Sequence, residues 1–522
     1  MRKLFLLIYF LILNCTILYS QPQLEWIKTY PKQGLDAIID SSGNIVIACR
    51  NHTNDTTFKL IKYRNDGQII WQKTYYVFIS PVLATDKYCN IYLTRGGTNG
   101  YTTIKIDSSG NQIWIRYYHT GIIDNSLTLA LDTSGNVFVT GYSWWQAYNY
   151  LTIKYNSNGD SLWTARYVGT DPNAASIPSS ICTDIQGNVY ITGTGNTIEY
   201  ATIKYNKDGI QQWVAAYRGP NNYGTGGYGP YTIKVDNLGY VYVTGGIYLG
   251  NNLEAFGTLK YLPNGDTVWT RIYFSGPSQV HSDYGVDIAL DNDDNVNVLG
   301  VGNDRTTSPV QSFTTIKYNK YGNIKWVIND SIGYTPTKIA LIKDKIFATG
   351  TTGNRIYSDG CDTTGQSIFS SKYPSFLYPY INYSGLNIFS DKFNGFYIFG
   401  SSLDTLVLIK YSLTTSINNI TNNIPIQYKL FQNYPNPFNP TTKIKFDIPA
   451  LSSPLTKGGL RGVVTLKIYN ILGKEIETLV NEKLNPGTYE VTFNASQYPS
   501  GVYFYRLVSD NYTETKRMIL LK

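Results

Sequence analysis

His52, His119 and His281, with Cys15, Cys49, Cys89, Cys182 and Cys361, are the side chains best suited to metal or nucleophilic chemistry here. They stand far apart. No two cysteines have a zinc-type or disulfide-type spacing, so small buried thiols are the simpler account. Asp291-Asn292-Asp293-Asp294-Asn295 resembles half a calcium loop but lacks the closing glutamate, and its place in the sequence makes it a turn. No acid, base or nucleophile is legible beside a third group that would hold it. No catalytic set, metal or cofactor is expected. The residues that invite a ligand are aromatic and loop-borne: Trp144, Trp145 and Tyr148; Tyr223 and Tyr228 in a glycine-rich stretch; and His281, Asp283 and Tyr284. Exposed rings of this kind stack on sugars or hold an extended peptide.

These residues must be positioned by a repeat. Thr152-Ile153-Lys154-Tyr155-Asn156-Ser157-Asn158-Gly159-Asp160-Ser161-Leu162-Trp163 reads as a strand, a tight glycine turn and a second strand entered at tryptophan. Copies end at Trp71, Trp114, Trp213, Trp269 and Trp326, with an unchanged glycine-to-tryptophan spacing. Upstream in each unit lies a partner such as Asp132-Thr133-Ser134-Gly135-Asn136-Val137-Phe138-Val139-Thr140-Gly141. Its aspartate is a turn-former that bonds its own backbone. Eight such units start 46 to 55 positions apart.

Four short strands at that period predict the blades of a β-propeller. The last unit stops at Lys410-Tyr411, while Leu24–Tyr30 supplies an unmatched strand at the start. Eight blades then result if the N-terminal strand completes the last one. Each tryptophan is expected to wedge between blades as core. Turns between strands one and two, and three and four, are short and alike. The other connections are unlike one another, and functional residues ride on such loops.

The units resemble the bacterial SBBP β-propeller repeat through Asp-x-x-Gly-Asn-Val-Tyr-Val-Thr-Gly, over most of 21–411. That resemblance implies the fold and almost nothing about activity. The sialidase Asp box is a near miss, its aromatic one place late. The tryptophan-docking repeat of quinone-dependent dehydrogenases shares the glycine-to-tryptophan spacing, but no quinone- or calcium-binding set accompanies it.

Residues 1–20 read as a secretory signal, with Arg2 and Lys3 before the apolar run Leu4–Leu13. No later stretch is long and apolar enough to span a membrane. Residues 412–427 are polar and read as a linker. The segment 428–522 then alternates as several strands, predicting a small Ig-like β-sandwich. Net charge is +8, of which 12 basic against 7 acidic residues from Ile426 onward account for +5. The near-neutral main body lacks the basic stripe that nucleic acid would demand.

The tail carries Pro435-Asn436-Pro437-Phe438, Leu466–Gly473, Ser500-Gly501-Val502-Tyr503 and Lys516–Lys522. It closely resembles the C-terminal sorting domain of the type IX secretion system. The resemblance implies Sec export, passage through the outer membrane with the tail as address, and often tail removal with release or surface tethering. It marks Pro435, Asn436, Pro437, Phe438, Gly473, Gly501, Tyr503 and Lys516 as signal residues and the type IX machinery as partner. The insert Leu451–Gly462 departs from the pattern as a lengthened hairpin loop. The expectation is a secreted or surface-attached, monomeric propeller that binds a glycan, peptide or surface protein. A propeller-type polysaccharide hydrolase or lyase, or a structural surface component, is the alternative.

Overall fold

The structure is a computed structural model. It describes residues 22–50, 57–76, 81–97, 100–120, 123–220, 229–250, 253–275, 281–304, 310–330, 334–374, 384–391, 395–413, 418–421, 425–449, 464–482, 484, 486–495, 498–509 and 512–521. Two compact units result, Leu24–Ser412 and a second centred on Leu413–Lys522. Among the described residues no helix is long and apolar enough to cross a membrane.

The first unit is built of antiparallel sheets with a four-stranded path each. Seven run consecutively along the chain: residues 33–75, 82–118, 124–167, 177–217, 230–273, 284–330 and 334–373, called blades one to seven. In blade eight, Ser384–Ser390, Gly395–Ser401 and Leu406–Ser412 are joined at the outer edge by Gln23–Tyr30. The first strand of the unit thus pairs with its last. Blade one packs against blade two through Val46, Leu60, Leu93 and Ile104. Its other face packs against blade eight through Ile47, Ile61, Phe399 and Leu408.

This packing explains the second-strand sequences. Ile45, Val46, Ile47, Ala48 and Cys49 are all fully buried, because neighbouring blades cover both faces of the sheet. A strand covered on both sides reads as a continuous apolar run rather than an alternation. The polar third-strand residues are buried too. Thr140 and Thr152 meet at 3.0 Å, and Lys154 donates to the carbonyl of Lys207 in the next blade at 2.7 Å.

The repeated tryptophan has a related role. Trp163 donates its indole N–H to the same Lys207 carbonyl at 3.1 Å. Trp71, Trp114, Trp213, Trp269 and Trp326 make the equivalent bond to the next blade's turn, at 2.9–3.2 Å. The turn glycine lies against the ring: a Cβ on Gly209, already at φ +84°, would approach Trp163 Cδ2 to 2.7 Å. The fixed glycine-to-tryptophan spacing is therefore a latch from each blade to the next. Trp114 and Trp269 are buried, but Trp163 is only half-buried, so the wedge is part core and part rim.

The repeat aspartate folds its own turn. Asp40 Oδ1 accepts from the amides of Ser42 and Asn44 at 2.8 and 3.0 Å, an Asx-turn. Asp291 does likewise with Asp293 and Asn295, and its other oxygen pairs with Lys317 at 2.9 Å. A recurring bulge in the innermost strands sends the next side chain sideways. Asp36 then accepts from the Leu83 amide of the following blade at 2.9 Å, and Asp287 from that of Ile339 at 3.2 Å. Asn387 donates to Ala37 at 3.0 Å, joining blade eight to blade one.

The second unit is two four-stranded sheets around one core that includes Phe438, Phe446, Leu466, Tyr505, Met518 and Leu520. The first sheet is 418–421, 487–494, 441–448 and 429–430; the second is 475–482, 464–469, 501–509 and 512–520. One feature differs from expectation. Asn418–Thr421, within the expected linker, pairs with Gly487–Asn494. Glu475–Glu482 holds the edge beside Val464–Tyr469; an edge strand tolerates its glutamates because one side faces water. The Leu451–Gly462 insert lies outside the described residues.

Candidate functional site

Asx and glycine turns fix one face of the propeller, so variation is left to the connections on the other. Trp144, Trp145 and Tyr148 were expected on a loop there. They sit instead on paired strands, Val137–Trp145 and Ala147–Tyr155, with Trp144 opposite Tyr148 and Trp145 opposite Ala147. Alternation simply continues past the body of the blade, and Gln146 at φ 64° makes the reversal. Asn149 secures the tip by donating to the Trp145 and Ala147 carbonyls at 3.0 and 2.8 Å. Tyr148 packs edge-on against Trp144 and Tyr142, with ring centroids 5.0 and 4.9 Å away. Trp144 and Trp145 remain 37% and 54% exposed. A rigid hairpin thus holds two indoles in water.

This hairpin is bonded to blade four: the Ser176 amide donates to the Tyr148 carbonyl at 2.7 Å. Beside Ser176 opens a cleft of about 370 Å³, lined by Ala175, Ile177, Pro178, Ser179, Thr194, Thr197, Gly229, Pro230 and Tyr231. It lies at the entry ends of the innermost strands of blades four and five. Asn196 and Thr197, both at positive φ, turn the rim. Buried Glu199 holds that turn, accepting from Asn196 and from Arg218 Nε at 2.7 Å. Tyr231, 39% exposed, packs on Tyr284 with centroids 5.5 Å apart.

The other expected residues divide. Tyr284 belongs beside the cleft. Asp283 is wholly buried and accepts from the Ser275 amide and hydroxyl at 2.7 and 3.1 Å. It pins the incoming connection and is turned away from solvent. Asp124 does the same for Thr120, with His119 Nδ1 at 3.0 Å. Burial disfavours the Asp124 carboxylate, but hydrogen bonds from Ser143, Thr120 and His119 outweigh this and hold its pKa low. His281 lies on a two-residue strand beside Leu253–Tyr261. Tyr223, Tyr228 and His52 lie outside the described residues. The cleft's own residues were not singled out from sequence. Pro178 and Pro230 were the available signal, since each stands at the same place in its repeat, just before the inner-strand bulge.

Two carboxyl groups do face one another, but elsewhere. Asp330 and Asp359 meet at the seam of blades six and seven, where Tyr357 donates to Asp330 Oδ2 at 2.6 Å. Burial, then the neighbouring Asp330, push the Asp359 pKa up to about 7. Tyr357 itself is buried, while Asp330 and Asp359 are each partly exposed.

The residues expected to carry the export signal lie in the second unit. Asn436 Oδ1 accepts from the Ile519 amide at 2.9 Å. Phe438 is buried, donates to the Ile519 carbonyl and accepts from the Leu521 amide, each at 3.0 Å. The Pro435–Phe438 segment therefore straps the final strand. Tyr503 is buried and donates to the Pro499 carbonyl at 2.7 Å. Gly473, at φ +75°, closes the turn begun by Asn470, and Gly501 opens the strand that pairs with Leu520. Lys516, on the final strand, pairs with Glu514 at 3.0 Å.

Comparison with known proteins agrees with both units. Residues 432–521 match the family model described as the secretion system C-terminal sorting domain. Residues 163–198, from the latch tryptophan through the next two strands, match the β-propeller repeat. The chain thus carries a β-propeller repeat and a type IX C-terminal sorting domain, and the latter indicates export with secretion or outer-surface attachment. No curated protein sequence matches it. Similar solved structures include a protein from Lactobacillus plantarum, 14% identical over 63% of this chain and 95% of that one, TM-score 0.43. Another is the polysaccharide lyase Uly1, 10% identical over 75% and 100%, TM-score 0.41. Drosophila Plexin A, solved with Semaphorin 1b, is 6% identical over 78% and 90%, TM-score 0.36.

Proposed function

We propose that the exported propeller is a non-catalytic binding module for a glycan, peptide or surface partner, engaged through blades three to five. The observation that carries this reading is the run of partly exposed rings beside a cleft: Trp144 and Trp145 on one side, Tyr231 with Tyr284 on the other. Aromatic faces offer large contact area at small entropic cost. Among the described residues, Ser179, Thr194, Thr197 and Tyr231 are the cleft's polar side chains, and no carboxylate or imidazole lines it. That composition suits recognition better than general acid–base chemistry, so the hydrolase or lyase alternative gains nothing here.

Binding of the full chain to glycan and peptide arrays tests the reading. Trp144→Ala with Trp145→Ala should weaken any ligand found by about tenfold or more, and Tyr231→Ala likewise, since a lost stacking ring costs about 1–3 kcal/mol. Unchanged binding in both variants would place the site elsewhere. Turnover of a polysaccharide by the wild-type chain would favour the enzyme.

A further inference from the structure

We propose that the turn Asn470–Gly473 of the sorting domain, through Ile471 and Leu472, is inserted into an apolar pocket of the outer-membrane export machinery. The proposal rests on the export assignment of this unit and adds where on it the machinery docks.

Ile471 and Leu472 are 72% and 88% exposed. Turn geometry does not ask for them. Asn470 Oδ1 accepts from the amides of Leu472 and Lys474, both at 3.0 Å, and Gly473 donates to the Asn470 carbonyl at 3.0 Å. The same bonding recurs in the propeller at Asn156–Asp160 with Ser157 and Asn158 at those two positions, and at Asp40–Asn44 with Ser41 and Ser42. Where propeller turns carry a large apolar residue, as at Leu238 or Ile185, it has a polar neighbour, Asn237 or Gln186. Two adjacent aliphatic side chains on one tip leave apolar area in water that the fold does not need.

Position strengthens the reading. Tyr469, Phe504 and Arg517 lie side by side across the second sheet. The turn after Tyr469, the strand start at Gly501 and the strand end at Leu520 therefore share one end of the sandwich. Phe438 bridges Leu520 there, and Leu521 is 54% exposed. The Pro435–Phe438 strap and the apolar turn thus belong to one surface. Its burying partner must be apolar and concave, because a two-residue tip fills a pocket and does not cover a plane.

The test uses the full chain in a host with the export machinery. Ile471→Ser with Leu472→Ser keeps Asn470 and Gly473, so the turn retains its bonds. The variant should fall about tenfold or more in surface and medium fractions, the effect of leaving a buried aliphatic group in water. Each single substitution should give an intermediate loss. Leu238→Ser, at an exposed propeller turn, should export normally. Wild-type export of the double variant would overturn the proposal. So would an equal defect in Leu238→Ser, or failure of both single variants to reduce export while remaining protease-resistant. If deletion of the tail did not block export either, the export assignment itself would fail.

Discussion

Trp163 shows how one side chain can serve two blades. Its ring lies on Gly209 and its N–H meets the Lys207 carbonyl. Trp163→Phe keeps most of the ring contact and loses the bond, so urea unfolding should show a loss of about 1 kcal/mol. Trp163→Ala should lose more, about 2–4 kcal/mol, somewhat below a fully buried tryptophan because the ring is half-buried. Equal stability of wild type and Trp163→Phe would remove the bond from the account. Asp359 yields a second expectation. Its pKa is raised in the folded chain to about 7, so the folded state holds a proton that the unfolded state releases above about pH 4. The favourable contribution is complete below that range and declines as pH rises to about 7. Asp359→Asn remains neutral, so its melting temperature should exceed that of wild type at pH 8 and the difference should shrink at pH 5. A constant difference would show that the seam does not titrate. Neither seam nor cleft was legible in the sequence, because both join residues from different blades whose approach depends on the ring.

The elements were far more legible. The spacing from Gly159 to Trp163 gave the hairpin, and the Asp132–Gly135 pattern gave its partner, because both turns are enforced by local hydrogen bonds. What the pattern hid was strand length. Trp144 and Trp145 continue a strand whose pairing outlasts the repeat. The unmatched N-terminal segment carries the sharpest element-level consequence. Gln23–Tyr30 covers Leu406–Ser412, Glu25 pairs with Lys410 at 2.8 Å, and Trp26 lies against Gly67 of blade one. Replacing residues 23–30 by a flexible polar stretch would leave an open edge and remove the Trp26 ring contact with blade one at once. The melting temperature should fall by roughly 10 °C or more, and amide exchange should rise first in Leu406–Ser412 and Phe58–Tyr63. Uniform exchange across all blades would mean that the ring does not depend on this strand.

At the scale of the whole molecule, each unit has its own core, and the two cores carry different information. The propeller's repeated residues are spent on holding blades together, so what distinguishes this chain is confined to a few connections. The tail reverses this: several of its recognisable residues strap the final strand or lie at one end of the second sheet. Removing residues 428–522 should therefore leave the propeller intact and its destination lost. The truncated chain should unfold in urea with the midpoint that the propeller transition shows in the full protein, since none of the latch bonds is touched. Expressed in a host with the export machinery, it should accumulate inside the cell envelope and be absent from surface and medium fractions. Protease resistance of the retained material would separate a missing address from misfolding. Surface display of the truncated chain at wild-type level would show that the propeller carries its own export information, and would send the search for the address back to the variable connections of the ring.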